Sequence, residues 1–192
     1  MVASQHMVKL HALALPVLCA ISLLHLGAAR ARADAVRFGP HDVRSTFHVA
    51  KSENQNQVHY AVRLDAECRP VGTRPVFAYW QRLKGKKRVD GELDGLGSGV
   101  YGASDEQKVA RTAQGGSVEL FVKALKKVRI TIEVQKSTQG CQAVPYTTIL
   151  GQRVRLSHAF LQLGLFGVLP KYVDVVGYRV SDGVRIAERH KN

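Results

Sequence analysis

Two histidines, His48 and His59, lie in neighbouring stretches that alternate apolar and polar residues. On strands this alternation turns both outward, away from Phe47, Val49, Val58 and Tyr60, and lets them be cross-strand neighbours. A pair of imidazoles is the beginning of a metal site. Zinc, however, needs at least three protein ligands, and Glu53 and Asp65 stand near without a spacing that demands them. They read as two surface histidines, and no metal is assigned. Ser157-His158 suggests a hydrolase, but adjacent strand residues face opposite sides and cannot pair as nucleophile and base. His158 shares its phase with Val154, Leu156 and Phe160, as an inner histidine would. Asp90-Gly91-Glu92-Leu93-Asp94-Gly95 spaces acids like the start of a calcium loop. The third position is Glu92, and Tyr101 stands where the closing glutamate belongs, so an acidic surface loop is expected instead. Glu188, near Arg185 on the closing hairpin, reads as one half of a structural ion pair across the sheet. No catalytic residue and no cofactor follow from these patterns.

The basic residues are more concentrated. Lys84-Gly85-Lys86-Lys87-Arg88 puts four charges in five residues, with Arg82 just before them and Tyr79 and Trp80 near enough to stack. Such a patch can hold phosphates or sulfates, or simply keep a strand edge soluble. Lys123, Lys126, Lys127 and Arg129 form a second run. The chain carries a formal charge of +13, which favours a polyanionic partner, whether nucleic acid, glycan or membrane surface. No specific nucleic-acid motif accompanies it. The aromatic residues Tyr79 and Trp80, with Phe77 and Tyr60, offer an alternative: the wall of a pocket for a small hydrophobic ligand.

The elements that must position these groups are strands. Residues 46–51 and 57–65 alternate and form a hairpin across a polar turn. Val76–Leu83 is apolar on both faces, as in a central strand, and holds the chain's one tryptophan. Residues 118–123, 127–136, 143–150 and 153–163 follow, split at Gly151. A last hairpin, 172–180 with 184–189, turns at Gly183. Lys84–Gly116 reads as a long glycine-rich loop whose one helix spans Asp105–Arg111, capped by Ser104 with Gln107 three residues on. About eight or nine strands with one short helix make an all-β fold, an antiparallel sandwich or partly closed barrel.

Phe47-His48-Val49, Val58–Tyr60, Val76–Trp80, Val100-Tyr101-Gly102 and Gly177-Tyr178–Glu188 together resemble a family of secreted bacterial domains catalogued as domain of unknown function number 4833. The resemblance runs from about Thr46 to Glu188. It implies a secreted single domain with structural motifs and no established activity.

The first residues read as a secretory signal peptide. Lys9 precedes an apolar run over 10–26, and Ala31-Arg32-Ala33 forms an Ala-x-Ala cleavage site before Asp34. The start is either Met1 or Met7. The expected organisation is a signal peptide over 1–33, a flexible lead-in over 34–45 and one β domain over 46–192. Export to an oxidising compartment leaves Cys68 and Cys141 as an even pair, expected to form a disulfide. With no transmembrane span after cleavage, the product is periplasmic or extracellular. The function expected is non-catalytic binding at the cell envelope or outside it, with an anionic partner held by Arg82, Lys84, Lys86, Lys87 and Arg88. The alternatives are a barrel-type carrier with Tyr79 and Trp80 in its pocket, and a hydrolase.

Overall fold

The computed structural model describes residues 36–164 and 170–191; the signal peptide expected over 1–33 lies outside the described residues. Among the described residues, eleven strands form one open sheet. They are β1 (Val43–Lys51), β2 (Asn54–Val62), β3 (Val76–Lys84), β4 (Lys87–Glu92), β5 (Lys108–Thr112), β6 (Gly115–Phe121), β7 (Arg129–Ser137), β8 (Gly140–Ile149), β9 (Gln152–Leu163), β10 (Pro170–Arg179) and β11 (Arg185–Lys191). One helix, α1 (Gly95–Tyr101), follows β4, and a 3-10 turn spans Lys123–Leu125.

The sheet folds over itself along β9. One edge of β9 pairs with β10 through most of its length. The other edge pairs first with β8, over residues 152–155, and then with β1, over 158–161. Two arms therefore leave the same edge of one strand: β1-β2-β3-β4 and β8-β7-β6-β5. The β1–β9 contact is parallel, a departure from the purely antiparallel order read from the sequence.

The core lies between the arms. Phe47, Val49, Val58, Tyr60 and Val62 from one arm meet Val118, Leu120, Ile130 and Ile132 from the other in one buried cluster. Among the described residues no strand pair closes the two arms on each other. Instead the Gln107 side chain donates to the Val76 carbonyl at 2.9 Å and accepts from the Val76 amide at 3.0 Å, as a strand partner would. Cys68 and Cys141 are bonded, Cα to Cα 5.3 Å apart, and tie the β2–β3 loop to the start of β8.

Three expectations change. The segment Lys84–Gly116 is not a loop: it contains β4, α1 and β5. Its helix is Gly95–Tyr101 rather than Asp105–Arg111, whose last residues join β5. Asp94 caps that helix, its Oδ1 accepting from the Gly97 amide at 2.7 Å, and Tyr101 anchors it in the core. Local capping and one buried aromatic thus outweigh a composition in which glycine opposes helix. Ser104 does not cap a helix either; its hydroxyl donates to the Glu106 carbonyl and closes a turn.

Tyr60 shows how α1 is fixed. Its ring stacks on Phe47, centroids 4.3 Å apart, and its hydroxyl donates to the Tyr101 carbonyl at 2.6 Å. Burial pushes its pKa well above the ordinary phenol value. Tyr60→Phe keeps the stack and leaves a carbonyl unpaired, so a loss of about 1–2 kcal/mol is expected in urea unfolding.

Candidate functional site

β3 and β4 form a hairpin whose tip carries the basic run. Gly85 and Lys86 are its two loop residues, and Gly85 takes φ +61°, which suits the first position of a type II′ turn. Lys84 and Lys87 are directly opposed across the strands. Lys84, Lys86 and Lys87 are exposed. Among the described residues none of the three has an ion-pair partner. Like charges placed opposite each other oppose pairing, so the tip is a local concentration of uncompensated charge.

Arg82 and Arg88 sit lower and are engaged. Arg88 reaches over the sheet and donates to the Gln55 carbonyl at 3.1 Å. Arg82 lies 3.3 Å from Asp94 and 5.5 Å from the Trp80 ring. Trp80 faces inward, and Lys51 stands over the same ring at 5.2 Å and over Tyr101 at 5.9 Å. One indole is thus within cation–π reach of two cations, a stabilising arrangement. The Trp80 Nε1 is buried with no hydrogen-bond partner and faces Gly97, where a Cβ would lie 3.2 Å from it. Lys51 was legible only as a strand end. It joins the site because β1 ends beside the Trp80 row, a long-range placement.

Tyr79 and Trp80 do not share a pocket wall. They are successive strand residues on opposite faces, Trp80 inward and Tyr79 outward against Phe38 at 5.1 Å. Phe38 also meets Phe77 at 5.8 Å, and β1 begins at Val43, so part of the lead-in is built into the sheet. Burial, then repulsion from Asp90, raises the Tyr79 hydroxyl to about 12. Both aspartates of the calcium-like stretch are spent locally: Asp90 accepts from Gln81, and Asp94 caps α1 and pairs with Arg82.

The outward face of the β1 arm holds a second constellation. His59, His48 and His158 are direct cross-strand partners on β2, β1 and β9. His48 stacks between the other two, its ring centroid 5.2 Å from each. His59 is held by the Ser45 hydroxyl at 2.6 Å and the Gln57 side chain at 3.0 Å. The His48–His59 neighbourhood was legible in the alternation; the third member was not. Ser157 has no partner on β10, because the register shifts between Val176 opposite His158 and Gly177 opposite Leu156. This β-bulge reverses the phase of the strand. Before it, Val154 and Leu156 are buried; after it, Ala159 and Leu161 are. His158 is therefore on the outer face, not the inner one. The bulge also brings the Ser157 hydroxyl to 3.1 Å from His158 Nδ1, a contact that strict alternation forbids. Among the described residues no carboxylate bonds to His158 to orient it as a base, and no group of three or more metal-type ligands converges on one point.

Glu188 accepts from the Leu150 amide at 2.8 Å and has no arginine partner among the described residues, contrary to the expected ion pair. Asp174 has that arrangement instead: Arg189 grips it with two bonds, 2.7 and 2.8 Å, and holds its pKa below the ordinary carboxylate value.

A cleft of about 810 Å³ opens between the 123–125 turn, the start of β10 and the end of β11. Leu125, Val128 and Val173 form its apolar floor; Lys126, Lys127 and Lys191 stand on its rim. In the second basic run, Lys123 pairs with Asp105 and Arg129 with Glu119.

Among the described residues no helix is long and apolar enough to cross a membrane. No curated protein and no solved structure matches the chain. A family model described as Domain of unknown function (DUF4833) matches residues 47–189, the span that holds the hairpin, Trp80, Tyr101 and the histidine row. The chain belongs to the DUF4833 family.

Proposed function

We propose that the protein is a secreted, non-catalytic binding domain of the cell envelope or the extracellular space, whose anionic partner is held at the tip of the β3–β4 hairpin. The observation that carries this reading is the trio Lys84, Lys86 and Lys87, exposed at a two-residue turn and, among the described residues, without counter-charges. Evenly mixed surfaces pair such charges; a projecting group of free lysines gains most from a ligand that supplies the missing anions. Arg88 extends the patch along the sheet. Arg82 supports it from behind, holding Asp94 and Trp80 in place.

The triple variant Lys84→Glu, Lys86→Glu, Lys87→Glu tests the reading on immobilised heparin. Retention at about 0.15 M salt is expected to vanish, and the salt dependence of the wild type to be steeper by about one unit of log K per log salt for each lysine engaged. Unchanged retention overturns it.

The cleft at the 123–125 turn favours a second reading, the carrier of a small hydrophobic ligand, now placed away from Tyr79 and Trp80. Phe121→Glu at its mouth, where Phe121 is part of the lining, would then abolish displacement of a fluorescent apolar probe by fatty acids. No displacement by the wild type sinks this alternative.

A further inference from the structure

We propose that the row His59–His48–His158 is a proton-operated latch on the parallel β1–β9 pairing, closed while the three imidazoles are neutral and released when they become charged. The geometry places the row where charge does most damage. Three rings lie in line across three adjacent strands, 5.2 Å from centre to centre. Among the described residues no hydrogen bond or ion pair engages the central His48 ring. Ser45, Gln57 and Ser157, the hydrogen-bond partners of the outer two rings, are neutral.

The charged groups facing the row offer little relief. β4 contributes Arg88, which disfavours a charged His48 and His59, and Asp90, which favours a charged His59. β3 contributes the neutral phenol Tyr79, a tilted ring neighbour of His59. β1 contributes Arg44, whose charge acts on Tyr79 and whose guanidinium covers Phe38. β10 presents Val176 opposite His158, and β11 brings the Arg185 charge to bear on His158. Three sources of positive charge, Arg88, Arg185 and the histidines themselves, thus act on the row against a single carboxylate.

The pairing that the row begins is short. β1 meets β9 over four residue pairs, from His48–His158 to Lys51–Leu161, and parallel pairing is slightly weaker per residue than antiparallel. Burial first, then His59, His158 and Arg88, lower His48 from 6.5 to about 4. Burial is also the main cause lowering His59 and His158. An opened or unfolded row takes up protons near the ordinary value of 6.5, while the closed row takes them up only at lower pH. Stability from the closed row is therefore full above about pH 6.5 and lost as pH falls towards 4.

Hydrogen exchange at pH 7.5 and pH 5.0, corrected for the intrinsic rate, reads the latch directly. Protection in peptides spanning 46–52 and 157–163 is expected to fall at least about tenfold on acidification, while β6 and β7 keep theirs. His48→Phe, which retains a stacking ring without a titrating nitrogen, should remove most of this local loss. Equal loss in all strands, or an identical loss in His48→Phe, overturns the proposal. If the variant does not fold, the wild-type His48 ring signals decide by NMR. A midpoint well below 6, moving with the exchange change, supports the latch, and a midpoint near 6.5 with intact β1 protection refutes it.

Discussion

Deleting Ser157 should leave a cooperatively folded domain, whereas Leu161→Asp, four residues further on, should not. Ser157 is the extra residue that reverses the phase of β9. Without it Leu156, His158 and Ala159 follow one another inward, outward and inward, so both halves of the strand keep the faces they bury now. Only the bulge and the Ser157–His158 contact are lost, a change of about 1 kcal/mol. Leu161 is 0% exposed, and its side chain contributes about 1.5–3 kcal/mol through burial. An unpaired carboxylate in its place adds a desolvation penalty of several kcal/mol, on the order of the whole stability of a domain, about 5–15 kcal/mol. Near-UV circular dichroism and a urea titration of the two variants check the expectation; loss of the cooperative transition in the deletion variant would show that the bend at the bulge is itself required.

Reducing the disulfide, or replacing both cysteines by alanine, should cost about 4 kcal/mol. The bond closes a loop with a sequence separation of 73, and the denatured chain loses entropy accordingly in the loop-closure account. Cys68 is 1% exposed, so its reduction requires opening of the β2–β3 loop. Other ties cross the same gap. Lys136 donates to the Ala66 carbonyl at 3.1 Å, and Arg111 donates to the carbonyls of Pro70 and Gly72 at 2.7 and 2.6 Å. These keep the arms together when the sulfurs part, and the reduced protein is expected to remain folded at 25 °C with a lower urea midpoint. A midpoint shift equivalent to less than about 1 kcal/mol would mean that the denatured chain is already compact.

Where one face of a strand is buried and the other wet, the sequence carries a clear record of it. β7 alternates Ile130, Ile132 and Val134 inward with Arg129, Thr131, Glu133 and Gln135 outward, and the structure follows that pattern. The last hairpin and its Gly183 turn, at φ +72°, follow it too. β4 and β5 were missed for the converse reason. As edge strands they bury little, so Lys-Arg-Val-Asp-Gly-Glu and Lys-Val-Ala-Arg-Thr show no apolar stripe. α1 was missed because one capping aspartate and one buried tyrosine hold a segment in which three of seven residues are glycine. For the site, the hairpin lysines and the His48–His59 pair were legible, since both depend on neighbours close in sequence. Lys51 above Trp80 and His158 beside His48 were not. The first requires β1 and β3 to meet around β2, and the second requires a bulge that no local pattern announces.

The two-armed attachment to β9 fixes an order of assembly. The β1–β9 pairing joins segments separated by roughly 110 residues, a long closure to complete before any contact rewards it. Until β9 has emerged from the ribosome, the β1-β2-β3-β4 arm has all its hairpin partners but an unsatisfied inner edge at β1. That edge carries Phe47 and Val49, and it is the surface on which a waiting chain would capture another copy. A variant truncated just before Gln152, with β1 still lacking its β9 partner, should therefore aggregate more readily than the whole chain.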